Sequence, residues 1–248
     1  MNTLFAFDFD GVICDSAIET AHSGWKTARQ IWADMPVILP EPLLQQFRQV
    51  RPALETGYEA ALILRLLFEG VAVSEMLVQF HAQLNALIAR DKLVIDKIKP
   101  LFGQTRDQWL AQDFSHWIAM NPLFPAVADK LRQLDANHCV IITTKQERFV
   151  DHILKANDIA FPLDNIYGLD RNLSKQQVLS DLSAQQHWQS IVFIEDRLPT
   201  LLNVMGDDRL DHIALYLADW GYNTVADREH AHAIARIQQL SLTNIPSL

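Results

Sequence analysis

Two acids, Asp8 and Asp10, close an apolar opening segment, Thr3 to Phe9, and are followed at once by Gly11 and Val12. Carboxylates at that spacing can face one small volume if the chain leaves strand geometry near Asp10. They would then hold a hard divalent cation through oxygen. They would also divide acid and base roles, one staying ionised while the other carries a proton. The alternative is a strand ending in solvated acids and a glycine turn, and these five residues do not separate the two readings. An EF-hand loop is excluded. A loop opened by Asp8 has Val12 and Ile13 at its fifth and sixth positions, where an oxygen ligand and Gly are required.

Three more polar groups stand where regular segments begin or end. Thr143, Thr144 and Lys145 follow the apolar run at 140–142, Lys175 opens a helical segment, and Glu195 with Asp196 ends IVFI at 191–194. The elements that must carry them alternate. Strands are predicted at 3–9, 138–143, 165–168, 190–195 and 212–218. Helices are predicted near 125–135, 146–157, 174–187, 199–205 and 225–240. That rhythm, with short loops, predicts a doubly wound parallel sheet covered on both faces. In such a sheet ligands bind beyond the carboxyl ends of the strands, where strand order reverses. All four polar groups fall on that edge.

Between the first strand and the rest the periodicity is helical. Ile18, Ala21, Trp25, Ala28 and Trp32 recur at three- and four-residue steps. A Pro-rich connection follows (Pro36, Pro40, Pro42). One apolar series then runs from Val73 to Ile88, and Thr105 with Gln108 has the spacing of a capping box that would start another helix. The block at 16–120 is therefore expected to be an all-helical insertion, leaving 1–15 and 121–248 as the α/β core. Pro125 suits the first turn of a helix on the return.

Composition narrows the classes further. The chain has 248 residues, 49% of them hydrophobic, which suffices for two buried cores and excludes disordered or low-complexity classes. Its eight glycines form neither a G-x-G-x-x-G nor a G-x-x-x-x-G-K-[ST] pattern. A formal charge of −9 without a basic run argues against a nucleic-acid partner. No apolar stretch spans a bilayer, and the first residues have no basic flank, so a cytoplasmic protein without a membrane partner is expected. Two cysteines, Cys14 and Cys139, suit a reducing compartment, and Cys14 reads as packing rather than as a nucleophile. His230 and His232, two apart on a helix, share no face. Trp25, Trp32, Trp109 and Trp117 read as helical core. Trp220-Gly221-Tyr222 reads as a turn with packed aromatics, or as a border of the site.

Taken together, DFDGV at 8–12, Thr143 after VII, Lys175, and Glu195-Asp196 after IVFI resemble the haloacid dehalogenase superfamily of phosphohydrolases. The helical insertion resembles that superfamily's C1-type cap. DGVICDS at 10–16, VIITTK at 140–145 and the late WGY are similar to its phosphoglycolate phosphatase and β-phosphoglucomutase branch.

The resemblance implies a Mg²⁺-dependent phosphatase acting on a small phosphorylated metabolite. Asp8 would be the nucleophile and Asp10 the general acid, then base. The metal would lie on the Asp8 side chain, the Asp10 carbonyl and Asp196, with Glu195 close by. Thr143, Thr144 and Lys175 would receive the phosphoryl group. Asp10 argues against the dehalogenating and phosphonate-cleaving members, which lack an acid there. Many members carry a further acid after the last motif, whereas Arg197-Leu198-Pro199-Thr200 follow here. The Glu195-Asp196 pair resembles the β-phosphoglucomutase variant instead. The cap would close over substrate and set specificity. Arg48 and Arg51, three apart on a helix, would read a substrate carboxylate or second phosphate, or else form a solvated basic face. A phosphomutase and a non-catalytic binding protein on the same scaffold stay open as alternatives, as does the oligomeric state.

Overall fold

The computed structural model describes residues 2–185 and 187–247. The chain divides into two compact units, Met1–Asp15 with Pro122–Leu248, and Ser16–Asn121. The first unit opens with β1 (Thr3–Phe7). The second carries α1 (Ala17–Ile31), α2 (Glu41–Val50), α3 (Glu59–Phe68), α4 (Val73–Val78), α5 (Phe80–Arg90), α6 (Ile95–Gln112) and α7 (Phe114–Ala119). The first then resumes with α8 (Pro125–Gln133), β2 (Cys139–Ile142), α9 (Glu147–Ala156), β3 (Ile166–Tyr167) and α10 (Lys175–Ala184). It ends with β4 (Ser190–Glu195), α11 (Leu198–Met205), β5 (Ala214–Ala218), α12 (Val225–His232) and β6 (Ile237–Leu240).

The six strands form one parallel sheet in the order β3-β2-β1-β4-β5-β6. The first strand in the chain thus lies inside the sheet, and the connections run outward from it to either side. Alternate side chains explain why these strands read as nearly continuous apolar runs. Leu4, Ala6, Val140, Ile142, Ile191, Phe193, Leu215 and Leu217 share one core with Leu179 of α10 and Leu201 of α11. Phe7, Cys139 and Ile141 point the other way and are equally buried. On that side Lys130 of α8 sits 5.7 Å from the Phe5 ring centroid.

The helical unit packs around α1, whose Ala21, Trp25 and Ala28 join Phe47, Leu62, Ile63, Met76, Leu84 and Phe102 in a single core. Inside it lies a charged group. The guanidinium of Arg106 meets Glu19 in a fork, Nε to Oε1 at 2.8 Å and Nη2 to Oε2 at 2.7 Å. Ser23 and the Trp117 indole also donate to Glu19 Oε1.

Several expected elements differ. The helix predicted over 225–240 stops at His232, and Ile237–Leu240 pairs with β5 as a sixth strand. Ile237 and Leu240 are buried while Gln238 and Gln239 are exposed. That three-residue apolar spacing suits a helix as well as a short edge strand, so pairing with β5 decides. The single apolar series at 73–88 is two helices, because Gln79 leaves helical geometry (φ −123°, ψ 32°). Thr105 and Gln108 do not start a helix. Both lie within α6, where the Thr105 hydroxyl donates to the Leu101 carbonyl at 2.8 Å instead of capping a helix end. The helix predicted over 174–187 ends at Ala184, and Gln186 of that range lies outside the described residues.

Candidate active site

Parallel register brings the first two acids together. Phe7 of β1 stands opposite Ile194 of β4, so Asp8, just beyond β1, comes beside Glu195, the last residue of β4. The Asp8 N–H still donates to the Ile194 carbonyl at 2.9 Å, extending the ladder by one bond. Lys175 arrives from the start of α10, where Ser174 caps the helix by accepting from the Gln177 N–H. Its ammonium bridges the two acids, donating to Asp8 Oδ1 at 2.6 Å and Glu195 Oε2 at 2.7 Å.

Asp196 is placed by the loop after β5. The Tyr222 N–H donates to Asp196 Oδ2 at 2.6 Å, and the Asn223 side chain donates to the Asp196 carbonyl at 3.0 Å. Two glycines make room. A Cβ on Gly11, which has φ +95°, would stand 2.0 Å from Asp196 Oδ2, and one on Gly221 would stand 2.2 Å from Asp196 Cβ. Neither position accepts a side chain. The same loop is tied to the first motif. The Trp220 indole donates to the Val12 carbonyl at 3.2 Å, and the Tyr222 hydroxyl donates to Asp15 Oδ1 at 2.8 Å.

Burial and charge pull the acids apart. Burial is the largest influence on Asp8; the Lys175 charge opposes it, while Glu195 and Asp10 add repulsion, and the carboxyl is pushed up to about 7. Burial also acts to raise Glu195, but the charge and hydrogen bond of Lys175, with the Arg197 N–H and a side-chain hydrogen bond with Asp196, hold it below the ordinary range. Lys175 is pushed down by burial and more strongly up by Asp8 and Glu195, so it stays an ammonium. Two acids sharing one cation are thereby driven in opposite directions.

Asp8, Glu195 and Asp196 each present an oxygen within 4.8 Å of the others, and all three are buried. Three buried carboxylates around a single bridging ammonium carry an excess of negative charge. A hard divalent cation with oxygen ligands fits that donor set and would lower its cost of burial.

The second acid of the first motif has a different neighbour. Asp10 Oδ1 accepts from Lys145 Nζ at 2.8 Å, with the lysine side chain wholly buried and Asp10 17% exposed. Thr143 is buried at the end of β2. Its N–H donates to the Tyr167 carbonyl, and its hydroxyl oxygen accepts the Lys145 N–H at 3.1 Å. Thr144, also expected at the phosphoryl group, is exposed.

Of the residues singled out by type and spacing, Asp8, Lys175, Glu195 and Asp196 thus meet directly, and Asp10 and Thr143 are joined to each other through Lys145. Arg48 and Arg51 do not share a helical face. Arg48 is exposed on α2, whereas Arg51 is buried in the tight turn after α2 ends at Val50. Cys14 is fully buried, as packing requires. Lys145 had no role assigned from sequence, although its place two residues after Thr143 was visible. Tyr222 and Asn223 act on Asp196 through a backbone N–H and a side-chain amide, which residue type alone does not announce.

No protein-family model and no curated protein matches the chain. Solved structures do. A "predicted phosphatase" from Clostridium acetobutylicum matches with a TM-score of 0.60 at 16% identity, over 99% of this chain and 99% of that one. A "predicted phosphoglycolate phosphatase" from Haemophilus somnus matches with a TM-score of 0.62 at 16% identity, over 100% and 98%. A haloacid dehalogenase-like protein of unknown function from Agrobacterium tumefaciens matches with a TM-score of 0.53 at 17% identity, over 98% and 96%. The chain therefore has the haloacid dehalogenase-like fold, an α/β core with an all-helical insertion. At these identities the likeness is one of fold. Among the described residues, no helix is long and apolar enough to cross a membrane.

Proposed function

We propose that the protein is a Mg²⁺-dependent phosphatase that hydrolyses a phosphate monoester of a small metabolite through an aspartyl-phosphate. The observation that carries this reading is the Lys175 ammonium bridging Asp8 and Glu195, with Asp196 in the same buried cluster. Asp8 is the nucleophile in this reading. Lys175 steers its carboxylate and balances charge as the phosphoryl group arrives. Asp8, Glu195 and Asp196 would hold the metal, together with the Asp10 carbonyl. Bound there, Mg²⁺ supplies the positive charge that lets an anionic nucleophile approach an anionic phosphate.

Asp10 hands a proton to the leaving alcohol and then takes one from the water that hydrolyses the intermediate. Thr143 and Thr144 contribute donors to the phosphoryl oxygens, with the N-terminal N–H groups of α9 behind them. The helical unit is the specificity module in this reading, with Arg48 and Arg51 as its candidates for an anionic substrate group. The site lies within a protein proposed to be cytoplasmic.

A screen of small phosphate monoesters with Mg²⁺ tests the reading, with Asp8→Asn as the blank. Phosphate release by the wild type alone is expected. Isomerisation of a sugar phosphate without phosphate release would replace it with a mutase. Inactivity across the panel together with no metal binding would replace it with a binding protein on this scaffold.

A further inference from the structure

Lys145 is a wholly buried cation that the reading above leaves without a task. We infer that it is the positioning residue for Asp10, holding that carboxyl group where it can reach both the leaving oxygen and the attacking water. The inference rests on the phosphatase reading and adds a residue to it.

The geometry is specific. Lys145 Nζ lies 2.8 Å from Asp10 Oδ1, and its side chain has no exposed surface, whereas Asp10 is 17% exposed. The cation is thus the fixed partner, and the acid is the one that faces outward. Nζ also stands 5.8 Å from the ring centroid of the buried Phe9. The backbone of Lys145 is held at both ends. Its N–H donates to Thr143 Oγ1 at 3.1 Å, and its carbonyl accepts from the Leu169 N–H at 3.1 Å. The loops after β2 and β3 therefore fix where the ammonium sits before any substrate arrives. Asp10 lies beyond the end of β1, next to Gly11 at φ +95°, and its backbone is bracketed by a bridge to Cys14, so the main chain sets where the carboxylate starts and Lys145 meets its oxygen. A charge-assisted hydrogen bond from a rigid donor selects one orientation of such a carboxylate.

The reaction shows what that orientation serves. In the first half, an Asp8 oxygen bonds to phosphorus as the ester P–O bond breaks, and the Asp10 carboxyl proton passes to the departing alkoxide. In the second, a water oxygen bonds to phosphorus and the P–O bond to Asp8 breaks. The water's proton passes to Asp10, which restores the starting state and releases inorganic phosphate. Both transfers use the same carboxyl group in the same place. Lys145 forms and breaks no covalent bond in either.

The test compares Lys145→Met, Lys145→Arg, Asp10→Asn and Asp10→Asn with Lys145→Met, each checked for folding by thermal unfolding. Alkyl and p-nitrophenyl phosphates serve as substrates. For the alkyl ester, Lys145→Met should lower kcat on the order of 10- to 100-fold. Its KM and the Ki for inorganic phosphate should stay within about twofold of wild type. With p-nitrophenyl phosphate, whose leaving group departs without a proton, the variant should give a stoichiometric burst of nitrophenol followed by slow turnover. Lys145→Arg should recover part of kcat, and the double variant should be no slower than Asp10→Asn. Overturning results are an unchanged kcat, additive losses in the double variant, or a raised phosphate Ki with kcat intact, which would make Lys145 a phosphate anchor. A wild type inert on the panel would sink the phosphatase reading and this role with it. An active wild type matched by Lys145→Met would sink the role alone.

Discussion

Each unit buries carboxylates beside a cation, but the two do so differently. In the helical unit, Glu19 receives a two-pronged contact from Arg106, with Ser23 and Trp117 also donating, so one acid meets one guanidinium and further neutral donors. In the α/β unit, Lys175 is shared by Asp8 and Glu195, and Asp196 stands in the same cluster. The first arrangement neutralises its charge and saturates its acceptors, which is what a structural buried pair must do. The second leaves a negative excess on the carboxyl edge of a sheet. That excess opposes folding unless a cation offsets it, and on this difference we propose one cluster as architecture and the other as a site.

Substitutions should separate the two clusters. The largest effect is expected from Asp8→Asn, which removes the proposed nucleophile and should cut phosphate release by at least about 10⁴-fold in a steady-state assay. The matching change in the helical unit, Arg106→Met, strands Glu19 in the core. Denaturant unfolding should show a loss of about 3 to 5 kcal/mol. A loss under about 1 kcal/mol would mean that Glu19 is relieved by water, and the contrast between the clusters would fail.

Magnesium and pH probe the negative excess directly. The folded metal-free protein holds the Asp8 proton up to about pH 7, against an ordinary value of 3.8. The folded state therefore binds more proton than the unfolded chain across that window, and the contribution of Asp8 to stability falls as pH rises through it. A divalent cation requires the ionised form, so binding should release a proton. At a free concentration a hundred times Kd, Mg²⁺ should stabilise the protein by about 2.7 kcal/mol. At one fixed concentration the rise in Tm should be larger at pH 8 than at pH 5. An equal rise at both pH values would remove Asp8 from the metal site. The smallest effect is expected at the border of the cluster. Tyr222→Phe deletes the hydroxyl bond to Asp15 and should cost about 1 kcal/mol in denaturant unfolding, while keeping the backbone N–H that holds Asp196.

Much of this was legible without coordinates. Buried parallel strands announce themselves as short apolar runs, and β1, β2, β4 and β5 each lie within the predicted segments. Acids, a hydroxyl and a lysine at the ends of such runs point to one edge, because a parallel sheet gathers all its carboxyl ends there. β6 was not legible. Its two buried ends around two exposed glutamines obey neither strict alternation nor a distinctive helical period, and only the open edge of β5 makes it a strand. Thr105 misled for a related reason, since a hydroxyl that can cap a helix can also bond back one turn inside it.

The amino-acid order carries the α/β rhythm, the helical insertion and the inventory of acids, because periodicity and residue type are local properties. The pairings are another matter. Lys175 spanning Asp8 and Glu195, Lys145 reaching Asp10, and Gly11 with Gly221 making space for Asp196 depend on strand register and loop placement. Those are set by packing between distant segments, and no local pattern encodes which cation will face which carboxylate.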